Sequence, residues 1–302
     1  MSLIRIACIV FLLAAPAFMP LAAKNNRVLP PSSHWNLKYD EDSCALQRGF
    51  GEEGGAILLE LRQFAPGPGF QLLFASVDFD LRNERPEIRY GGDEENRLIE
   101  NAIIADYGDD LHAVILSDSF HTISEKEEWE ELDANERARW NFRSLQNLAS
   151  LQTREESIEA IGIAETFGEE ITLQTGSMRA PMDAMRQCMD ELLTHWGVDA
   201  EAHRSLIRPA LPRNYNRLVR RVIQNYPSAM LRQGNNARLQ VRLSVSEAGD
   251  VTGCYLQLPI EFDDFRQDAC HALERARFDP ALDAQGNPIA SYWTSTILYL
   301  MN

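Results

Sequence analysis

The chain has 302 residues, and at roughly 150 residues per domain this length suggests two domains. Hydrophobic residues make up 45% and charged residues 25%. That is the composition of a folded protein and excludes a disordered chain, a collagen-like repeat and a multi-span membrane protein. The net charge of -16 excludes a general nucleic-acid binder, which needs a basic face toward phosphates.

Residues 1–23 read as an export signal. Arg5 supplies the positive start, Ile6 to Ala15 is an apolar run, and Ala15-Pro16-Ala17 and Leu21-Ala22-Ala23 are small-residue cleavage patterns. A membrane anchor needs about 20 apolar residues, and Pro16 and Pro20 interrupt this one. The expected mature protein is therefore exported, with no membrane span. Cys8 leaves with the signal, so Cys44, Cys188, Cys254 and Cys270 remain. An even number in an oxidising compartment suggests disulfides. Of the three possible pairings we expect Cys254–Cys270, close in sequence, and so Cys44–Cys188. No C-x-x-C spacing suggests a metal site.

Next comes a mainly β segment. Trp35 to Tyr39 alternates apolar and polar residues. Ala56 to Phe64 and Phe70 to Phe79 are strand-length apolar runs around the turn Ala65-Pro66-Gly67-Pro68-Gly69, which predicts a hairpin. Leu111 to Leu116, Ile158 to Ile163 and Glu169 to Gln174 are further strand candidates. Between them, Ser124 to Leu151 lacks Gly and Pro and predicts one or two helices, with Ser124 and Glu127 as a capping box. Met182 to Trp196 has apolar residues at helical spacing, and Gly197 is the expected stop.

Charge divides the chain. Residues from Ser205 onward carry 11 Arg against 9 Asp and Glu, a net +2; with Arg5 at +1, residues 24–204 carry -19. The expected organisation is a signal over 1–23, an acidic mainly β domain over 24–204, and a small domain over 205–302. The expected class is α+β.

The last domain has the clearest pattern. Asn214 to Tyr226 predicts a helix that Pro227 ends. Arg238 to Val245 alternates with period two, the mark of a half-buried strand, and Glu247 to Asp250 is a turn. Val251 to Leu258 is the partner strand, Asp263 to Arg275 a second helix, and Ser291 to Leu300 a last strand rich in β-formers.

This order, with Asn225-Tyr226-Pro227, Gly234, Gly249-Asp250-Val251, Ala276-Arg277-Phe278-Asp279-Pro280-Ala281 and Gly286-Asn287-Pro288, resembles the C-terminal domain of the TonB family of energy transducers over about residues 213–302. The resemblance implies a helix–strand–strand–helix–strand fold, with Phe278 filling the gap between helix and sheet. It also implies a periplasmic domain that binds extended segments of outer-membrane receptors, or other periplasmic proteins, as an added strand. The edge would be the last strand, with Trp293, Ser295, Ile297 and Tyr299 near the contact. Two features depart from the transducers: the first segment lacks an anchor's polar face, and an acidic domain stands where they have a proline-rich spacer. A membrane-anchored variant remains the reading if residues 1–23 are retained.

No catalytic signature emerges. The histidines 34, 112, 121, 195, 203 and 271 show no metal-ligand spacing, and G-x-S-x-G is absent. Asp109, Asp110 and His112 read as a solvated turn, Asp78-Phe79-Asp80 lacks the rest of a calcium loop, and Gly91-Gly92 reads as a turn. We expect no catalytic residue, metal or cofactor. The enzyme alternative places its site in the acidic domain and predicts a pocket there with convergent histidine and carboxylate groups.

Overall fold

The computed structural model describes residues 26–52, 54–77, 86–91, 95–99, 102–107, 111–164, 170–224, 237–257, 270–271 and 273–299. The chain is α+β, with strands in several sheets and six helices among the described residues.

The acidic part is built on an antiparallel six-stranded sheet in the order Asn36–Tyr39, Cys44–Phe50, Ile57–Gln63, Gly69–Ser76, Leu111–Ser119, Ile103–Tyr107. Register explains its core. Leu46 pairs with Leu61, Leu61 with Leu72 and Leu72 with Leu116, so one row of leucines crosses four strands on one face. All four are at most 1% exposed. The expected hairpin is present, and the Gln63 side chain closes it by donating to the carbonyls of Gly67 and Gly69.

A five-stranded sheet, in the order Asn26–Leu29, Glu170–Leu173, Ile161–Ala164, Glu87–Tyr90, Arg97–Leu98, supplies Ile88, Tyr90, Ile161, Ile163, Ile171 and Leu173 to the same core. The helix Arg179–His195 adds Met182, Met185, Cys188, Met189 and Leu192. Its methionines are packing residues, and Gly197, at φ 74°, follows its end in the left-handed conformation. Cys188 on this helix and Cys44 at the start of its strand stand at disulfide distance, 1.94 Å between sulfurs.

Residues 123–157 form three helices, Ile123–Glu131, Ala134–Gln146 and Leu148–Ser157. The first cap falls two residues before the expected one: the Thr122 side chain accepts from the Glu125 N–H, and the Glu125 carboxylate accepts from the Thr122 N–H. Both Thr122-x-x-Glu125 and Ser124-x-x-Glu127 fit a capping box, and the extended backbone at Thr122 decides between them. Asp133 caps the second helix in the same way.

The C-terminal part has its own apolar core around Leu218, Val222, Val241, Leu243, Leu273 and Phe278, with Phe278 fully buried against Trp293 at 5.7 Å between ring centroids. The helix Tyr215–Gln224 contributes Leu218 and Val222. Residues 225–236 and 258–269, with Asn225-Tyr226-Pro227, Gly234 and most of the second expected helix, lie outside the described residues; Cys270, His271 and Leu273 are helical. Cys254 and Cys270 stand 2.01 Å apart at their sulfurs. Gly249, at φ 82°, accepts the Phe278 N–H on its carbonyl, and a β-carbon there would collide with the Phe278 carbonyl. Residues 207–213 are stitched into this part: Ile207 donates to Leu282, Leu211–Pro212 pairs with Phe278–Asp279, and Arg213 donates to Arg277.

Candidate functional site

The sheet of the C-terminal part has three antiparallel strands in the order Val251–Leu256, Ala237–Val245, Ser291–Tyr299. The last strand is therefore marginal among the described residues. In a strand, both backbone polar groups of a residue point to the same side and successive residues alternate. The Gln257 N–H donates to the Gln240 carbonyl at 2.8 Å. Gln240 and Arg242 thus address the strand Val251–Leu256, while Leu239, Val241 and Leu243 address the last strand. Those three pair with Ile297, Ser295 and Trp293. The N–H and C=O groups of Thr294 and Thr296, paired with Arg242 and Gln240, must then point out of the sheet.

This register separates two roles. Trp293 and Ile297 pack on the second core. With Ser295 they use their backbone groups inside the sheet, and Tyr299 shares their parity opposite Ala237. The residues expected near the contact thus lie on the marginal strand, but the outward hydrogen-bonding groups belong to Thr294 and Thr296. Period-two patterning shows which side chains face inward. Which backbone groups face outward depends on which neighbour lies on which side, and the sequence alone does not carry that.

At the start of the strand, Tyr292 stacks on His203 at 5.9 Å and meets Trp196 edge-on at 5.6 Å. His203 Nδ1 lies 2.7 Å from the Asp199 carbonyl, which can only accept, so Nδ1 carries the proton. Nε2, at 2.8 Å from Ser291 Oγ, then accepts the hydroxyl proton. Burial holds the His203 pKa below the usual imidazole value, which suits this neutral form. Burial, and secondarily the Asp190 carboxylate, pushes the Tyr292 pKa above the ordinary phenol range. Tyr292 is therefore a neutral packing ring.

Among its described residues the acidic part offers no comparable constellation. A cavity of about 580 Å³ is lined by Val28, Arg48, Glu159, Gln174 and neighbouring residues, and one of about 280 Å³ by Glu128, Glu136, Arg139, Trp140 and Arg143. Neither includes a histidine. Ser119 Oγ lies 2.6 Å from His121 Nδ1, but His121 is only 8% exposed and neither residue lines these cavities. Among the described residues no group of three or more His, Cys, Asp or Glu could hold a metal ion. Residues 78–80, 92 and 109–110 lie outside the described residues. Gly91 is the turn residue expected, at φ 57°.

Residues 223–300 match the family model described as the Gram-negative bacterial TonB protein C-terminal. This part of the chain is similar to TonB C-terminal domains. No curated protein matches the chain. A TonB-type domain together with paired cysteines suggests an envelope protein with an interaction role, because disulfides persist in oxidising compartments. No helix of the described residues is long and apolar enough to cross a membrane.

Proposed function

We propose that the protein is a periplasmic binding protein whose TonB domain captures an extended protein segment as a fourth strand along Ser291–Tyr299. The carrying observation is the marginal place of that strand, with the backbone groups of Thr294 and Thr296 directed outward. An added strand supplies main-chain hydrogen bonds there, and the partner is a segment of an outer-membrane receptor or another periplasmic protein. In this reading residues 1–23 are removed, residues 24–204 form one domain and residues 205–302 the other. The acidic domain, at -19, favours cationic partners within a Debye length of about 8–10 Å. Retention of residues 1–23 would make the protein an anchored variant, and the intact mass of the native protein distinguishes the two.

The test is titration of synthetic receptor-derived extended peptides onto the mature chain and two variants, followed by calorimetry. Proline is tolerated at a sheet margin where the N–H faces outward. Thr294→Pro should keep the fold and lose peptide binding. Ser295→Pro removes an internal ladder bond and should lower the melting temperature. Full peptide binding by Thr294→Pro, or no binding by the unmodified protein, would refute the assignment.

A further inference from the structure

The two cores meet at a socket on the opposite face of the three-stranded sheet. Arg242 enters from the sheet and is only 4% exposed. Its guanidinium lies over the rings of Trp196, at 4.2 Å, and Tyr255, at 3.9 Å. Its Nη2 donates to Asp42 Oδ1 at 3.1 Å, and Trp196 Nε1 donates to the same oxygen at 3.1 Å. Gln257 Nε2 donates across the junction to the carbonyls of Asp42, at 2.9 Å, and Phe64, at 2.8 Å. A guanidinium this buried is costly to leave without its carboxylate, so the seat holds only while Asp42 and Trp196 keep their relative places.

Those two residues belong to different elements. Asp42 lies in the loop before the strand Cys44–Phe50, and Trp196 is at the end of the helix Arg179–His195. The Cys44–Cys188 bridge joins that strand to that helix two residues after Asp42 and eight before Trp196, about two helical turns away. Both cysteines are 1% exposed. We infer that this bridge is the positioning device of the socket: it holds Asp42 and Trp196 in the register that seats Arg242, and so fixes the C-terminal sheet against the acidic part. The Arg242 face of the sheet is then committed inside the molecule, and an external partner meets the margin instead. The inference rests on the junction and stands whether or not a strand adds there.

Coupling of this kind is reciprocal: a bridge that favours the seat is itself favoured by the seat, by the same factor. A dithiol reductant opens the bridge by two exchanges, after which Cys44 and Cys188 each carry a hydrogen and the two reductant sulfurs are joined. The experiment equilibrates the full mature chain in dithiothreitol buffers of varied ratio and counts thiols on each pair by mass spectrometry. Arg242→Met keeps the strand apolar and removes the charge. Gln257→Ala removes the side-chain bonds and leaves the ladder. Arg242→Met should raise the reduction constant of Cys44–Cys188 about fivefold or more, Gln257→Ala should raise it by less, and Cys254–Cys270 should stay within about twofold. Values for Cys44–Cys188 within about twofold of the unmodified chain in both variants, or equal shifts of both bridges, would overturn the inference.

Discussion

Asp183 shows how single side chains bind the acidic part together. Arg186 donates to Glu155 through both terminal nitrogens, at 2.7 and 2.8 Å, and to Asp183 at 2.6 Å. Arg179 and Gln152 also donate to Asp183, so the helices Leu148–Ser157 and Arg179–His195 share one charge network. Burial raises the Asp183 pKa, but the hydrogen bonds from Arg186, Arg179 and Gln152 outweigh it and hold the value at about 2, below the usual 3.8. A depressed folded pKa gives stability that is present above the unfolded value and lost as pH falls toward the folded one. The contribution should therefore fade between pH 3.8 and about 2. Asp183 is partly exposed and screened, so the effect is about 0.5 kcal/mol. Acid titrations of Asp183→Asn and the unmodified protein should differ above this window and converge below it. A constant difference through the window would reject the assignment.

At the scale of elements, Cys254–Cys270 ties the strand Val251–Leu256 to the helical residue Cys270. Cys254→Ser should lower the stability of the C-terminal part by roughly 2–4 kcal/mol under oxidising conditions. An unchanged melting curve would contradict this. The strand Ala237–Val245 was legible because its alternation matches a sheet with one face on a core. The strand Cys44–Phe50 was not, since Cys44, Ala45 and Leu46 are all buried and no alternation marks them. The three-helix run was legible as helix but not in its divisions, which Asp133 and Asn147 set through local caps and turns. Two-residue pairings such as Leu211–Pro212 with Phe278–Asp279 carry no local pattern, because tertiary contact creates them. The same holds for the site. The marginal strand could be reached through resemblance, whereas Thr294 and Thr296 needed the register of two neighbouring strands.

In the whole molecule, an acidic β-rich part and a TonB-like part meet through Arg242, Gln257 and Asp42. Charge reveals the change between parts, because -19 gives way to +2 near residue 205. It does not reveal the junction, because an arginine in an alternating strand looks like any solvent-facing residue. The function proposed depends on one margin of one sheet being open and ready to pair. Site-resolved amide hydrogen exchange measures that directly, since unpaired backbone groups at a margin exchange quickly. The amides of Thr294 and Thr296 should exchange fast in the free protein and become protected when a receptor-derived peptide is added, while those of Trp293 and Ser295 are slow throughout. Thr294 and Thr296 amides already protected in the free protein, or unchanged by every peptide, would contradict the account.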